Sequence, residues 1–371
     1  DVYANDTALR NHRRRSSRFH DMNLDSVVPP LLTALTRLQS AQRHLHPIHL
    51  EQVKGKIDDV RGPLQDAYVT LPETEDLIAA GVRTSVELTL KAMSAFEEVP
   101  SDPEGIFHAY RALRYTPYAL ESLYPAAPIS DVVNAFFLED FRHDDPEFLQ
   151  SLKGDHPDTG IHHIDNERGS KGGYSLYIPE NYNPANCYPV VIALHGGAGH
   201  GRGFLWTWLK EARSRGIILI SPTARGDTWA LMGPDIDSDN LEAMLQSVRA
   251  RWSIDESRLL MTGMSDGGTF TYVSGLRSAS PFTHLAPIAA SFHPMMLELV
   301  EAPNIAGRPI YLTHGTHDWM FDIEVAHMAR EVLTGLGADL VFREIPDLAH
   351  TYPRDENPHI LDWFLKGETP S

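Results

Sequence analysis

Six short apolar segments alternate with amphipathic stretches in the part of the chain that follows residue 160. Each is four to eight residues long, and most are rich in valine, isoleucine and leucine: Pro189–Leu194, Ile217–Ile220, Arg258–Thr262, His284–Ser291, Pro309–Thr313 and Asp339–Ile345. Such runs are typical of strands buried on both faces of a parallel sheet. Strands that alternate with helices predict a doubly wound α/β sheet, whose active site lies outside the carboxyl ends of the strands.

The first 155 or so residues have a different pattern. Apolar residues recur at helical spacing in residues 31–45 and 76–96, which predicts amphipathic helices. Proline-containing segments around Pro29-Pro30, Pro63, Pro72, residues 100–103 and residues 117–128 predict breaks between several short helices. A polar segment, residues 153–160, is the predicted linker. We therefore expect a mainly helical domain over residues 1–155 and an α/β domain over residues 160–371.

The composition excludes several classes of partner and site. The chain has 32 lysines and arginines against 50 aspartates and glutamates, a net charge of −18, which repels the phosphate backbone of a nucleic acid. Cys187 is the only cysteine, so an intrachain disulfide and a cysteine-based metal site are both excluded. No run of 18 apolar residues predicts a membrane span. We expect a cytoplasmic location, although the sequence begins at Asp1 and not at a methionine.

A Gly-x-Ser-x-Gly motif follows the predicted strand Arg258–Thr262. It reads Gly-Met-Ser-Asp-Gly-Gly over residues 263–268, and a helix-like stretch comes after it. In this context the serine sits on a tight strand-to-helix turn that leaves little room for side chains at Gly263 and Gly267. Ser265 is therefore the predicted nucleophile. Taken alone, the pattern also fits an ordinary glycine-rich turn, so the interpretation depends on further motifs.

A small-residue loop follows the strand Pro189–Leu194. Its sequence, His-Gly-Gly-Ala-Gly-His-Gly over residues 195–201, leaves backbone N–H groups free to face a developing oxyanion. The predicted donors are the N–H groups of Gly197 and of Asp266, the residue after the serine. Such a loop is also able to cradle phosphate, but the usual phosphate-binding signatures are absent. We expect His195 to hold the loop in shape and not to act as a catalyst.

An acid and a histidine follow two later predicted strands, in the order that a Ser…Asp…His triad requires. Asp318 ends the sequence His-Gly-Thr-His-Asp after Pro309–Thr313, and His350 follows Asp339–Ile345. We predict that His350 takes the Ser265 proton and that Asp318 orients His350. Asp322 and Asp347 remain rival acids, and His317 is a rival base.

These four motifs together resemble the α/β-hydrolase superfamily, and within it the phospholipase/carboxylesterase and the feruloyl-esterase or polyhydroxyalkanoate-depolymerase-like esterases. The resemblance covers about residues 160–370 and implies the α/β-hydrolase fold, with a serine esterase that works through an acyl-enzyme and needs no cofactor or metal. It implies a small-molecule ester substrate. The first 155 residues match none of the compact members of these families.

Three aromatic residues after strands are candidates for the substrate pocket: Trp229, His293 and Trp319. The apolar faces of the N-terminal helices must also be buried. We expect the aromatic-rich residues 107–138 to pack near the mouth of the active site, where they restrict the pocket or form a homo-oligomer interface. A domain that only stabilises the chain is the alternative. Two other functions stay open at this point. One is a serine peptidase of the prolyl-oligopeptidase type, and the other is a binding protein without catalytic activity.

Overall fold

The structure of the chain is a computed structural model that describes residues 24–71, 73–102, 104–153, 158–300 and 303–369. The chain divides into two compact units, Asp1–Gln150 and Ser151–Ser371. Residues 1–23 of the predicted helical domain and residues 154–157 of the predicted linker lie outside the described residues.

The regular secondary structure in the described residues of the first unit is helical. The longer helices bury one apolar face, as Leu24, Val28 and Leu35 show in the first helix. The helices are α1 Leu24–Arg43, α2 Leu50–Asp58, α3 Arg61–Val69, α4 Leu77–Glu97, α5 Gly105–Leu113, α6 Tyr115–Leu123, α7 Asp131–Phe136 and α8 Pro146–Ser151, the last of which ends where the units divide.

The proline break predicted at Pro29-Pro30 is wrong, whereas the helices do break just before Pro63 and within residues 117–128. Pro63 and Pro117 lie at the third positions of α3 and α6, where the backbone N–H has no intrahelical acceptor and its loss costs nothing. Pro29 and Pro30 lie inside α1, which continues through them. The carbonyl of Pro29 accepts a hydrogen bond from the Thr33 hydroxyl at 2.9 Å, and burial of the apolar face stabilises the helix across this point.

An eight-stranded sheet forms the centre of the second unit. Its strands are β1 Gly160–Ile164, β2 Tyr174–Ile178, β3 Tyr188–Leu194, β4 Ile218–Pro222, β5 Ile254–Met264, β6 His284–Ile288, β7 Pro309–Gly315 and β8 Asp339–Ile345. The strand order is β1-β2-β4-β3-β5-β6-β7-β8. Strand β2 is antiparallel to β1 and β4, whereas all pairs from β4 to β8 are parallel. The predicted α/β class with a mostly parallel sheet is confirmed.

The first two strands extend the six that the sequence predicts. Strand β1 contains Gly160, His162 and His163 and is only half-buried, so it lacks the continuous apolar run of a central strand. Strand β2 is buried but is built from tyrosine and serine as well as leucine and isoleucine. Neither strand therefore has the composition on which the prediction of parallel strands rests.

Six helices accompany this sheet: α9 Gly201–Arg215, α10 Ser238–Arg249, α11 Asp266–Gly275, α12 Met296–Leu299, α13 Ile323–Gly335 and α14 Asn357–Lys366. The core between sheet and helices is apolar and includes Ile192, Ile220, Met261 and Leu312. Because β3 to β8 run in parallel, the loops after them meet at one edge of the sheet. In the part of the chain that the structure describes, no helix has the length and hydropathy needed to cross a membrane.

Candidate active site

Ser265 lies on the turn between β5 and α11 in a strained backbone conformation with positive φ, at φ 56° and ψ −118°. Its N–H donates to the carbonyl of Ile288 at 2.9 Å, and its carbonyl accepts from the N–H of Thr269 at 2.8 Å. A non-glycine residue at positive φ is uncommon and strained, so the neighbouring structure must hold it there. The backbone turn is therefore fixed on both sides of the serine.

The glycines on either side of Ser265 allow this turn to pack closely. A Cβ on Gly267 would lie 2.5 Å from the carbonyl oxygens of Leu194 and His195, and a Cβ on Gly263 would lie 2.5 Å from the carbonyl oxygen of Gly267. Both obstacles are backbone atoms, which cannot rotate away as a side chain would. The end of β3 and the start of α11 are therefore in contact only because these positions are glycine.

Replacing Gly267 by alanine should lower the free energy of unfolding by about 2 kcal/mol or more, because the new methyl group would displace the end of β3. Gly335, the last residue of α13, is the matched control, since a Cβ there would meet no atom within 4 Å. The Gly335→Ala variant should be as stable as the parent or slightly more stable. Urea unfolding of the three proteins measures both changes, and equal stability of all three would contradict the packing argument.

A chain of hydrogen bonds joins Ser265, His350 and Asp318. His350 Nε2 lies 3.0 Å from Ser265 Oγ, and His350 Nδ1 lies 2.8 Å from Asp318 Oδ2. The other oxygen, Asp318 Oδ1, accepts from the N–H groups of Met320 and Phe321 at 2.9 and 2.8 Å. An Asp318 carboxylate held on both oxygens fixes Nδ1 as the protonated nitrogen of His350, so Nε2 faces the serine as an acceptor.

The rival acids and the rival base occupy other places. Asp322 caps α13, because its Oδ1 accepts from the N–H of Glu324 at 3.0 Å. Asp347 and His317 are exposed, whereas Asp318 and His350 are both buried. The structure thus brings together the three residues predicted first for the triad.

A second histidine, His314, lies beside Asp318, and the sequence analysis does not single it out. It is fully buried in β7, and its Nε2 donates to the carbonyl of Phe321 at 2.8 Å. Burial lowers the pKa of His314, so the ring stays neutral and supports the loop around Asp318. A histidine inside a buried strand is the signal that could have found it, because a buried imidazole needs a hydrogen-bond partner.

The loop that carries His350 is tied to α9. The Tyr352 hydroxyl donates to Asn357 Oδ1 at 2.7 Å, and Asn357 Nδ2 donates to the Thr207 carbonyl at 2.9 Å. Arg354 donates to the carbonyl of Trp206 at 2.9 Å. Thr207 and Trp206 belong to α9, so this helix anchors the segment immediately after the histidine.

His195 holds the glycine-rich loop that follows β3. Its Nε2 accepts from the N–H of Ala224 at 3.1 Å, so its Nδ1 carries the proton and donates to the Gly196 carbonyl at 2.7 Å. Burial lowers the pKa of His195 to about 4. The ring is therefore neutral at ordinary pH and shapes the loop, as its sequence position suggests.

Acidification should weaken the fold through His195. Its pKa falls from 6.5 to about 4 on folding, so below pH 6.5 the unfolded chain binds the extra proton and stability is lost progressively toward pH 4, by up to about 3 kcal/mol. The His195→Gln variant lacks this titration. The difference in unfolding free energy between parent and variant should therefore narrow as urea melts are run from pH 7.5 down to 4. A constant difference would contradict the assignment.

Gly197 and Asp266, the predicted oxyanion donors, lie next to each other. A Cβ on Gly197 would be 2.8 Å from Asp266 Oδ2, and a Cβ on Gly196 would be 3.5 Å from the Cβ of Ser265. The glycine loop therefore lies against the serine turn. Asp266 is the first residue of α11, where the backbone N–H has no intrahelical acceptor and is available to a ligand.

The expectation that Trp229 lines the substrate pocket needs correction. Its side chain is buried in the core, with its ring stacked on Phe270 at 5.4 Å and 4.9 Å from the His195 ring. The indole N–H donates to the His195 carbonyl at 2.8 Å. A tryptophan after a strand can pack into the core as well as line a pocket. Trp229 packs into the core and supports the glycine loop through His195.

Among the described residues, Trp319 is the one predicted pocket residue that the structure brings against the triad. It is half-buried, and its ring lies 6.1 Å from that of His350 in an edge arrangement. Phe321 packs on the same imidazole at 5.3 Å. His293 is exposed in the loop after β6, where its Nδ1 accepts from the N–H of Met295 at 3.2 Å. This hydrogen bond stabilises the turn that contains His293.

Residues 224–364, which contain all three triad positions, match the model of the dienelactone hydrolase family. The same residues form strands β5 to β8 and the serine turn. The second unit has the α/β-hydrolase fold. Within the described part of this chain, no group of three or more histidine, cysteine, aspartate or glutamate side chains is placed to hold a metal ion.

The chain is similar to curated esterases over part of its length. It is 25% identical over 207 residues to a bifunctional acetylxylan esterase/xylanase of Neocallimastix patriciarum, a match covering 52% of this chain and 28% of that protein. It is 28% identical over 116 residues to a probable feruloyl esterase C of Aspergillus terreus, covering 29% of this chain and 43% of the relative. The chain thus spans less than half the length of both relatives. The predicted resemblance to esterases of this superfamily is confirmed.

A solved structure of acetyl xylan esterase from Aspergillus awamori is also similar to the chain. The TM-score is 0.44 at 15% identity, and the match covers 55% of this chain and 98% of that one.

Proposed function

We propose that the chain is a serine carboxylic-ester hydrolase that acts through an acyl-enzyme. The observation that carries this proposal is the continuous hydrogen-bond chain from Ser265 through His350 to Asp318, with the serine on a strained turn. The relatives named above carry acetylxylan and feruloyl esterase names, which supports the carboxylic ester as the bond that this chain breaks.

In the first half of the reaction Ser265 Oγ attacks the ester carbonyl carbon. His350 Nε2, 3.0 Å away, accepts the hydroxyl proton as the new C–O bond forms. The carbonyl oxygen becomes an oxyanion, which the N–H groups of Gly197 and Asp266 stabilise. Donors of this kind act on the charge that develops in the transition state, and losing one typically costs a factor of about 100 to 1,000 in rate.

Asp318 stabilises the imidazolium that forms when His350 takes the proton. Because its carboxylate is also held by two backbone N–H groups, it stays in place while the charge on the ring changes. His350 then gives the proton to the leaving alcohol oxygen as the C–O bond to that oxygen breaks. In the second half, His350 removes a proton from water, which attacks the acyl-enzyme and releases the acid and free Ser265.

The first unit argues against a peptidase of the prolyl-oligopeptidase type. That family's additional domain is a β-propeller made of many short strands, whereas the described residues of the first unit are helical. A binding protein without catalytic activity has no need to keep a strained serine hydrogen-bonded to a carboxylate-oriented histidine. The ester hydrolase is therefore the function that these residues support best.

An active-site serine probe, a fluorophosphonate, separates the enzyme from the binding protein. We expect the parent chain to be labelled and the Ser265→Ala variant to be unlabelled. A panel of aryl esters and peptide anilides then separates an esterase from a peptidase, and we expect hydrolysis of the esters alone. No labelling of the parent chain, or faster cleavage of the anilides than of the esters, would overturn the proposal.

A further inference from the structure

The carboxylate of Asp266 lies beside the predicted oxyanion position. The backbone N–H of Asp266 is one of the two predicted oxyanion donors, and that of Gly197 is the other. The Asp266 side chain lies close to Gly197, because Oδ2 is 2.8 Å from the place that a Cβ on Gly197 would occupy. The side chain is only partly buried. A carboxylate therefore lies beside the place where the carbonyl group of an ester would bind.

Two features hold the charge there. Thr228, in the loop after β4, donates its hydroxyl hydrogen to Asp266 Oδ2 at 2.5 Å. Asp266 is also the first residue of α11, and the positive end of a helix favours a carboxylate at this position. The loops after β3, β4 and β5 thus all meet at this carboxylate, which holds it in place.

We propose that Asp266 is a specificity-determining residue that selects against esters with a negative charge close to the scissile carbonyl. This inference rests on the proposed esterase function and names the substrate class of that site, which is neutral or cationic acyl groups. An anionic acyl group would approach the carboxylate at short range in a partly desolvated site, where like charges repel strongly. A neutral ester meets this repulsion only through its developing oxyanion.

Three 4-nitrophenyl esters with acyl chains of similar length test the proposal. The butyrate is neutral, the hemisuccinate is anionic, and the 4-(trimethylammonio)butyrate is cationic. The comparison uses the ratio of kcat/KM for each charged ester to kcat/KM for the butyrate. This ratio cancels any change in oxyanion stabilisation that all three esters share, so it reports the effect of charge on the acyl group.

In the Asp266→Asn variant the hemisuccinate-to-butyrate ratio should rise about tenfold, as expected for loss of one nearby like charge, and the ratio for the cationic ester should fall. Asparagine keeps an oxygen that accepts the Thr228 hydrogen bond, so the loops stay joined. Asp227→Asn is the matched control. It removes the same charge from a fully exposed neighbour that pairs with Lys171, and both ratios should stay unchanged.

The proposal would be overturned if Asp266→Asn changed kcat/KM by the same factor for all three esters. It would also be overturned if Asp266→Asn and Asp227→Asn changed the two ratios equally. If Asp266→Asn fails to fold by near-ultraviolet circular dichroism, Asp266→Ser removes the same charge and must move the two ratios in the same directions. Failure of the esterase proposal has a different signature, namely that the parent chain turns over none of the three esters. If the butyrate is hydrolysed in a reaction that depends on Ser265, but Asp266→Asn leaves both ratios unchanged, the inference about Asp266 is rejected and the esterase proposal stands.

Discussion

Replacing Ser265 by alanine should lower kcat for a neutral aryl ester by about four to six orders of magnitude, because the nucleophile, the base and the acid act as a unit. The alanine variant keeps the hydrogen bond from the backbone N–H of residue 265 to the Ile288 carbonyl, so we expect the turn to keep its conformation. Initial rates with 4-nitrophenyl butyrate, measured beside circular dichroism spectra, give the loss and check the fold.

His350→Ala should be almost as inactive, and the Ser265→Ala, His350→Ala double variant should be no worse than either single variant. Such non-additivity is the signature of groups that work in one step. Residual turnover above a few per cent in Ser265→Ala would show that another group is the nucleophile. Losses that multiply in the double variant would show that Ser265 and His350 act independently.

Replacing Asp318 by asparagine should lower kcat by about four orders of magnitude through the wrong tautomer of His350. The amide oxygen of asparagine would take the place of Oδ1, which accepts two backbone N–H groups. The amide NH₂ would then occupy the place of Oδ2, 2.8 Å from His350 Nδ1. Nδ1 would become an acceptor, and the proton would move to Nε2, where it faces Ser265 and prevents base catalysis.

Asp322→Asn is the matched control for this change. Asp322 caps α13 through one side-chain oxygen, and asparagine caps helices as well as aspartate does. We expect its kcat to equal that of the parent. A mild effect of Asp318→Asn together with a severe effect of Asp322→Asn would transfer the acid role to Asp322.

The local chemistry of the sequence accounts for much of this site. Gly263 and Gly267 indicate a turn with no room for a Cβ, and the structure shows which backbone atoms a Cβ at each position would meet. The order of Ser265, Asp318 and His350 after successive strands follows from topology, because parallel strands bring their carboxyl ends to one edge. Such features can be inferred from one sequence, since each depends on a few neighbouring residues.

Contacts between distant segments could not be predicted in this way. The hydrogen bond from Thr228 to Asp266 joins residues 38 positions apart, and nothing in the sequence around Thr228 marks it. The inward packing of Trp229 depends on Phe270, which lies on another element. Strands β1 and β2 could not be predicted in this way because the antiparallel end of the sheet tolerates polar residues that a central parallel strand excludes.

Helix α9 has a consequence for how this enzyme would lose activity on heating. The glycine loop enters the helix at its first residues, and the hydrogen bonds of Arg354 and Asn357 fasten the histidine loop to its second turn. The proposed oxyanion donor, Gly197, and the proposed general base, His350, therefore share one rigid support. A thermal fluctuation that loosens this helix would disorder the glycine loop and the histidine loop at the same time. Thermal inactivation should therefore proceed in a single step, with no partially active intermediate between the active and the inactive state.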